Sequence, residues 1–199
     1  MEQNKNILII NGHQKYEGHS EGELTKIYID TAKEFLSKNN LNIKTTKVED
    51  GYDIKDELSK FDWADYILFQ YPVYWMGVPW ITKKYIDEIF SGGYGTITYT
   101  SDGRSRDDAS KKYGSGGLMN DKKYMLSLTY NCPHTEFDNK DGFFDGLSLD
   151  QAHVATHKVF QFCGAKPLES YAVHDVHKEG LDLENELKRF KEVLKRNFI

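Results

Sequence analysis

The sequence has few of the features that are typical of secreted proteins, membrane-spanning proteins or proteins stabilised by disulfides or structural zinc. Only two cysteines occur among 199 residues, Cys132 and Cys163, and neither belongs to a CxxC pair. This spacing excludes a disulfide framework and a cysteine zinc site. No stretch approaches the roughly 18 consecutive apolar residues that span a bilayer, and the first apolar run is too short for a signal peptide. We therefore expect a cytoplasmic protein with reduced thiols and no integral membrane segment.

A basic excess and a proline-rich composition are missing as well. The 26 Lys and Arg residues face 31 Asp and Glu residues, a formal charge of -5, which argues against nucleic acid as a partner. Only four prolines and 39% hydrophobic residues indicate a globular chain, and 199 residues fit a single domain spanning 1–199. Aromatic residues, in contrast, are abundant at 14%, with thirteen Tyr and eleven Phe. This excess suggests a flat ligand that stacks against rings.

Short apolar runs alternate with amphipathic segments along the chain. The runs 6–11 and 66–71 are too short for helices and predict strands that are buried on both faces of a parallel sheet. The alternation predicts an α/β fold, a flavodoxin-like doubly wound five-stranded parallel sheet with helices on both faces. Further strands are expected at 43–48, 124–129 and 170–173, and helices near 24–39, 53–61, 79–90, 149–162 and 182–196.

Ligands of such sheets bind outside the carboxyl ends of the strands, which singles out three loops. The first loop, 12–22, precedes a helix whose free amides and dipole attract phosphate. In this loop Ser20 offers a hydroxyl, and Lys15 and His19 can add positive charge. A plain helix cap at Ser20 explains the same residues equally well.

The other two loops contain rings and hydrogen-bonding groups. The second, 71–80, is crowded with aromatic and sulfur side chains and suits a flat heteroaromatic ring, although a dimer contact or ordinary core remains an alternative. In the third loop, 129–134, Tyr130 can lie along a ring system. There His134 is either a proton donor or an exposed loop histidine, and Cys132 is a packing residue.

One long segment and one histidine pair complete the candidates. The segment at about 91–120 has no clear periodicity, and a connection of that length is usually functional or disordered. The pair His153 and His157 has helical spacing but lacks the glutamate of an HExxH motif, so we expect no metal site.

Five segments resemble the flavodoxin-like NAD(P)H:quinone oxidoreductases, in the same order and over nearly the whole chain. They are ILIINGH, GHSEGEL, YPVYWMGVPWITKKYIDEIF, TSDGRSRDDASKKYGSGGL and KKYMLSLTYNCP. The chain departs from the family at Val73-Tyr74, where relatives commonly carry Gly-Trp. It also departs at 131–134, where Asn-Cys-Pro-His replaces Asn-Ala-Pro-Met. Neither change removes a group that hydride transfer requires.

The resemblance implies a homodimeric FAD enzyme that takes hydride from NADPH or NADH onto the flavin and reduces quinones by two electrons. It implies no catalytic side chain, because the flavin performs the redox chemistry, and His134 stays a candidate proton donor. The diphosphate and adenosine would meet 20–27, the isoalloxazine would meet 73–76 and 129–132, and Tyr113 would reach across the dimer from an insert at about 91–120. The implied cofactor-binding residues are Ser20, Glu21, Gly22, Glu23, Leu24, Thr25, Lys26, Ile27, Val73, Tyr74, Trp75, Met76, Tyr113, Thr129, Tyr130, Asn131 and Cys132.

Other functions of the same fold stay open at this point. An electron carrier of the flavodoxin type would bind FMN and have no nicotinamide site. A nitro- or azo-reductase would share the flavin and differ in its electron acceptor, and a flavin-free binding protein would retain only the fold. The long insert and the aromatic loop argue against a simple carrier, which needs neither.

Overall fold

The computed structural model describes residues 4–199 and is built around one parallel sheet. The strand order is β2-β1-β3-β4, with β5 and β6 both paired to β4, and every strand pair is parallel. This order is the one that defines flavodoxin-like doubly wound sheets, so the predicted fold class is confirmed. The strands are β1 Asn6–Asn11, β2 Asn42–Lys47, β3 Tyr66–Pro72, β4 Lys123–Thr129, β5 Lys166–Pro167 and β6 Tyr171–Val173.

Helices cover both faces of the sheet. Helices α1 and α6 pack on one apolar cluster, which includes Ile9, Tyr28 and Phe190, and α2, α3 and α5 pack on the other. Alternating side chains of the buried strands supply both clusters, because successive residues of a strand point to opposite faces. The helices are α1 Glu23–Lys38, α2 Ile54–Trp63, α3 Trp80–Gly92, α4 Leu149–Ala152, α5 Val154–Phe162 and α6 Leu183–Phe198.

Two elements differ from the sequence prediction. The helix predicted over 149–162 is divided at His153, whose backbone angles of φ -103° and ψ 22° leave the helical region. The last strand of the sheet is interrupted, because the edge segment β5 contains Pro167, which has no N–H to donate to a ladder. The ladder resumes at Tyr171, so one predicted strand is present as β6 and a second short strand precedes it.

The long segment after α3 has no regular helix or strand, yet it is packed against α5. Its Met119 is fully buried and donates its N–H to the Cys163 carbonyl at 2.8 Å. A Cβ added at Gly117 would lie 2.2 Å from the Cys163 backbone, so only glycine permits this approach. The end of the segment, from Gly117 to Met119, is therefore packed against the fold on the α3 and α5 side of the sheet.

The carboxyl ends of the central strands bring three loops to one edge. The amide of Gly12 donates to the Gln70 carbonyl at 2.7 Å, and the amide of Val73 donates to the Thr129 carbonyl at 3.0 Å. The loops that follow β1, β3 and β4 therefore start side by side. Within residues 4–199, no helix is long and apolar enough to cross a membrane.

Candidate cofactor-binding site

A cavity of about 1120 Å³ lies at this edge, between the three loops. It is large enough for an extended ligand, since small-molecule sites usually range from about 300 to 1,000 Å³. Its lining residues come from the first loop and the start of α1, from the segment after β3, and from the ends of β4 and β6. They are His13, Tyr16, Gly18, His19, Ser20, Glu21, Gly22, Glu23, Leu24, Thr25, Pro72, Val73, Tyr74, Trp75, Thr129, Asn131, Val176 and His177.

Helix α1 opens into the cavity without a side-chain cap. Its N-cap residue is Gly22, which has a left-handed backbone with φ 95°, and no side chain accepts from the first-turn amides. The alternative in which Ser20 caps the helix is therefore wrong, because the Ser20 hydroxyl pairs with the Tyr74 hydroxyl instead. Uncapped amides at a helix start carry partial positive charge and suit an anionic group. The residues present thus fit the diphosphate of a flavin dinucleotide.

Two charged side chains of the first loop, Lys15 and Glu21, are paired with each other. The Lys15 ammonium lies 2.7 Å from Glu21, and the Glu21 carboxylate also accepts from the Gly18 amide at 2.7 Å. The ion pair with Lys15 lowers the pKa of Glu21, so this carboxylate stays ionised. Because Lys15 is engaged, the attraction of this loop for an anion comes from backbone amides and the helix dipole.

A buried histidine supports the loop from below. The His13 ring lies under Gly22, where an added Cβ would approach it to 3.1 Å. Its Nε2 is 3.2 Å from the Ser20 carbonyl, and its Nδ1 is 3.4 Å from the Thr25 hydroxyl. Burial lowers the pKa of His13, which favours the neutral ring. A neutral ring with its proton on Nε2 donates to Ser20 and accepts from Thr25.

The segment after β3 forms a tight turn with unusual backbone angles. The backbones of Tyr74 and Gly77 pair with each other, and Trp75 and Met76 between them have φ values of 48° and 67°. Residues other than glycine, asparagine and aspartate rarely adopt this left-handed backbone conformation, so the turn is strained. The Trp75 ring is 97% exposed and forms the rim of the cavity. Rings and backbone amides together suit the face and edge of an isoalloxazine.

The third loop contributes one wall and supports the turn. The Thr129 and Asn131 side chains reach the cavity, and Asn131 accepts from the His177 amide at 3.1 Å. The Tyr130 ring is buried behind this wall, where its hydroxyl donates to the Met76 sulfur at 3.1 Å. Burial raises the pKa of Tyr130 to about 12, so the phenol keeps its proton. The hydroxyl of Tyr130 therefore holds the strained turn from the side.

The structure separates the predicted residues into two groups. Most of them line the cavity: Ser20, Glu21, Gly22, Glu23, Leu24, Thr25, Val73, Tyr74, Trp75, Thr129 and Asn131. The others do not line it. Met76 and Tyr130 contact each other beside it, and Lys26 forms an ion pair with Asp30 on the exposed face of α1. The remaining predicted residues outside the lining are Ile27, Cys132 and Tyr113.

The candidate proton donor lies outside the cavity. The His134 ring is exposed and sits 5.2 Å from the His174 ring, in a neighbouring groove beside α6. There His174 donates from Nδ1 to the Cys132 carbonyl at 2.9 Å. This hydrogen bond holds the loop 129–134 in place and leaves Nδ1 unavailable to a ligand. No side chain of this pair lines the cavity.

Several lining residues were missed by sequence reasoning. Val176 and His177 follow β6, so the rule that selected the other loops applied to them as well. His13 and Tyr16 lie within the first loop, but nothing in an irregular segment indicates which side chains turn inward. The Tyr16 ring stacks on His19 at 5.4 Å and contacts Tyr74 at 5.4 Å.

Tyr113 lies on a different surface of the molecule. Its ring is 70% exposed and 5.4 Å from Phe162, above an apolar groove between α3 and α5. This groove is lined by Ile86, Phe90, Tyr99, Tyr113, Ala155, Val159 and Phe162, among others. The structure therefore brings Tyr113 to no other predicted site residue of its own chain.

In the histidine pair at the junction of α4 and α5, both ring nitrogens of His157 have hydrogen-bonding neighbours. The Tyr124 hydroxyl lies 2.8 Å from His157 Nδ1, and Asp150 is 3.2 Å from His157 Nε2. Nowhere in the described part of the chain do three or more His, Cys, Asp or Glu side chains form a group that could hold a metal ion.

Comparison with known proteins shows relatives across the whole chain. A family model described as a flavodoxin-like fold matches residues 5–196. The chain is 41% identical to NADPH:quinone oxidoreductase MdaB of Haemophilus influenzae over 173 residues, which cover 87% of this chain and 89% of that protein. It is 42% identical to an uncharacterized protein of Schizosaccharomyces pombe over 172 residues, covering 86% of this chain and 87% of the relative.

Solved structures share the fold at low sequence identity. The NAD(P)H:quinone oxidoreductase from Methanothermobacter marburgensis superposes with a TM-score of 0.71 at 14% identity, covering 97% of this chain and 98% of that one. General stress protein 14 of Treponema denticola, in complex with FMN, has a TM-score of 0.67 at 15% identity, covering 96% and 98%. At these identities the likeness concerns the fold.

Proposed function

Since the chain belongs to the flavodoxin-like family that includes NADPH:quinone oxidoreductase MdaB, we propose that it is an NAD(P)H:quinone oxidoreductase that uses FAD. The observation that supports this most directly is the single cavity that joins an uncapped helix start to an aromatic turn. A flavin dinucleotide needs both features, one for its diphosphate and one for its ring system. The name of the relative supports the reaction class.

The side chains of the cavity bind and orient rather than react. When bound, a flavin would supply the chemistry of hydride uptake from a nicotinamide and two-electron reduction of a quinone, and the protein would supply position and electrostatics. The first-turn amides of Glu23 and Leu24 would hold the diphosphate, and Val73 to Trp75 would fix the ring system from one edge. Thr129 and Asn131 would close the opposite wall. In this division of roles the carboxylates and hydroxyls of the lining, such as Glu23 and Ser20, need not react.

We further propose that the enzyme is a homodimer that places Tyr113 of one copy near the flavin of the other. The exposed Tyr113 ring and the apolar groove between α3 and α5 form an unpaired apolar surface, which marks an interaction site. A second copy would cover this surface by two-fold symmetry. It would also account for Tyr113, which cannot contact a flavin in its own chain's cavity.

The experiment that tests the function identifies the bound chromophore and then the reaction. Purified protein should be yellow and release FAD on denaturation, identified by its mass, and it should oxidise NADPH or NADH when menadione is present. Release of FMN with no nicotinamide oxidation would instead favour an electron carrier. Turnover of a nitro or azo compound without quinone reduction would favour a different reductase. Colourless protein that stays inactive after FAD is added would contradict the proposal.

A further inference from the structure

The Tyr74 hydroxyl lies between the first loop and the turn after β3, and it is hydrogen-bonded to the loop twice. It donates to the Gln14 carbonyl at 2.8 Å and pairs with the Ser20 hydroxyl. A phenol has one proton, and this proton is committed to Gln14, so Ser20 must donate to Tyr74. Burial raises the pKa of Tyr74, so the phenol keeps the proton that it donates.

The other polar contacts of the loop hold its shape but do not connect it to the turn. Tyr16 and Ser20 exchange two backbone hydrogen bonds of 2.9 Å, and Lys15 pairs with Glu21 inside the loop. The Lys15 amide donates at 2.8 Å to Glu49, which belongs to the segment after β2. Within residues 4–199, the two hydrogen bonds of Tyr74 are the polar links between the loop 14–20 and the turn 74–77.

These links join two halves of the cavity that would bind opposite ends of a long ligand. The loop leads to the uncapped start of α1, and the turn presents Trp75 at the rim. Most side chains of the loop are exposed, so burial alone does little to fix its position. When one part of a ligand orders one of these segments, a link between them orders the other as well, so the second part of the ligand pays less of the entropy cost.

We propose that Tyr74 is a positioning residue that fixes the loop 14–20 against the Trp75–Met76 turn, so that the diphosphate end and the ring end of one cofactor bind cooperatively. The cofactor part of this inference rests on the proposed function. The loop-positioning part concerns the protein alone. Each part therefore has its own measurement.

The binding measurement uses the two halves of FAD as separate probes. Riboflavin affinity is titrated by fluorescence with and without ADP, in the wild type and in Tyr74→Phe. We expect ADP to strengthen riboflavin binding to the wild type about three- to tenfold, the equivalent of one or two hydrogen bonds, and to have no effect on Tyr74→Phe. A variant that retains the full enhancement would overturn the proposal.

Tyr94→Phe is the matched control, because Tyr94 is exposed outside the cavity and its hydroxyl has no hydrogen-bond partner in the described part of the chain. This control should keep the enhancement. Ser20→Ala should lose part of it, and adding Tyr74→Phe to Ser20→Ala should cost less than the two single effects combined. Additive effects would mean that the two hydroxyls do not act together, against the proposal.

The second measurement needs no cofactor. Hydrogen exchange of the amides at 15–20 in the flavin-free protein should be several-fold faster in Tyr74→Phe than in the wild type, and unchanged in Tyr94→Phe. Equal exchange rates in the wild type and Tyr74→Phe would overturn the proposal whatever the binding data show. If the wild type binds neither FAD nor riboflavin, the proposed function and the cooperativity fail together, and exchange still decides the role of Tyr74 in positioning the loop.

Discussion

At the scale of single residues, the backbone at Trp75 is the clearest sign of a functional constraint. A residue other than glycine with φ 48° is strained, and the 97% exposed ring gains no packing energy within the chain to compensate. A strained backbone together with an unpacked aromatic ring is costly for stability. This cost is explained if the Trp75 ring contacts a ligand or a second copy of the chain.

We predict that Trp75→Gly stabilises the flavin-free protein and weakens flavin binding. Glycine adopts the left-handed region freely, so relief of strain should raise the free energy of unfolding by about 0.5–1 kcal/mol. Loss of an aromatic contact should weaken FAD binding about two- to tenfold. Urea denaturation and fluorescence titration measure the two effects.

The control is Trp80→Gly, at an exposed tryptophan without positive φ, which should not stabilise the protein. Equal or lower stability of Trp75→Gly would contradict this account.

At the scale of elements, the break between α4 and α5 turns His153 into the core. Its ring is 3% exposed, its Nδ1 is 3.4 Å from the Tyr71 hydroxyl, and its Nε2 has no hydrogen-bond partner among residues 4–199. Asp150 and His157 are the charged and titratable neighbours that affect it, and the Tyr130 ring packs against it at 5.7 Å. Burial lowers the pKa of His153 to about 4, because the charged ring would lose its water.

This burial predicts a loss of stability in mild acid. Between pH 6.5 and about 4 the unfolded chain binds the His153 proton and the folded chain does not, so the free energy of unfolding falls as pH falls through this window. The effect of this one group is on the order of 3 kcal/mol. Urea titrations at several pH values measure it, and His153→Gln should show a shallower decline. Burial also lowers the pKa values of His13 and His174, so these two residues account for the pH dependence of the free energy of unfolding that remains in His153→Gln. Identical slopes in both proteins would exclude His153 as the cause.

The sequence predicts elements well where a periodic pattern is the whole cause of the structure. The apolar runs of β1 and β3 gave their bounds to within a residue, because a short run without polar interruption is buried on both faces. The start of α2 near residue 53 was also predicted, and the Asp53 side chain caps it by accepting from the amides of Lys55 and Asp56. The break at His153 was not predicted, because it depends on a tertiary contact with Tyr71 rather than on local periodicity.

At the scale of the whole molecule, topology predicts where the site lies but not which side chains form it. The carboxyl ends of β1, β3 and β4 were expected to converge, and their loops line one cavity. Inward residues such as His13 have no periodic signal in an irregular loop. Tyr113 was expected near the cofactor from the resemblance alone, and the fold of one chain places it on another surface. Because the resemblance implies that Tyr113 reaches across the dimer, its role can be tested only in a unit of two chains.

The homodimer predicts that one charge in the groove between α3 and α5 disrupts both assembly and flavin retention. Ala155 is exposed and lines this groove, so Ala155→Glu should leave the fold intact. Two-fold symmetry would bury the introduced carboxylate in both copies, which should weaken the dimer at least tenfold.

Val154→Glu adds the same charge to the neighbouring exposed position of α5, outside the groove, and should remain dimeric. Light scattering gives the mass of each variant, and ultrafiltration followed by absorbance gives the flavin that remains bound. Because Tyr113 would be supplied by the partner, monomeric Ala155→Glu should lose flavin more readily than dimeric Val154→Glu. A wild type that is monomeric and retains its flavin fully would show that one chain completes the site, and Tyr113 would then have no role in it.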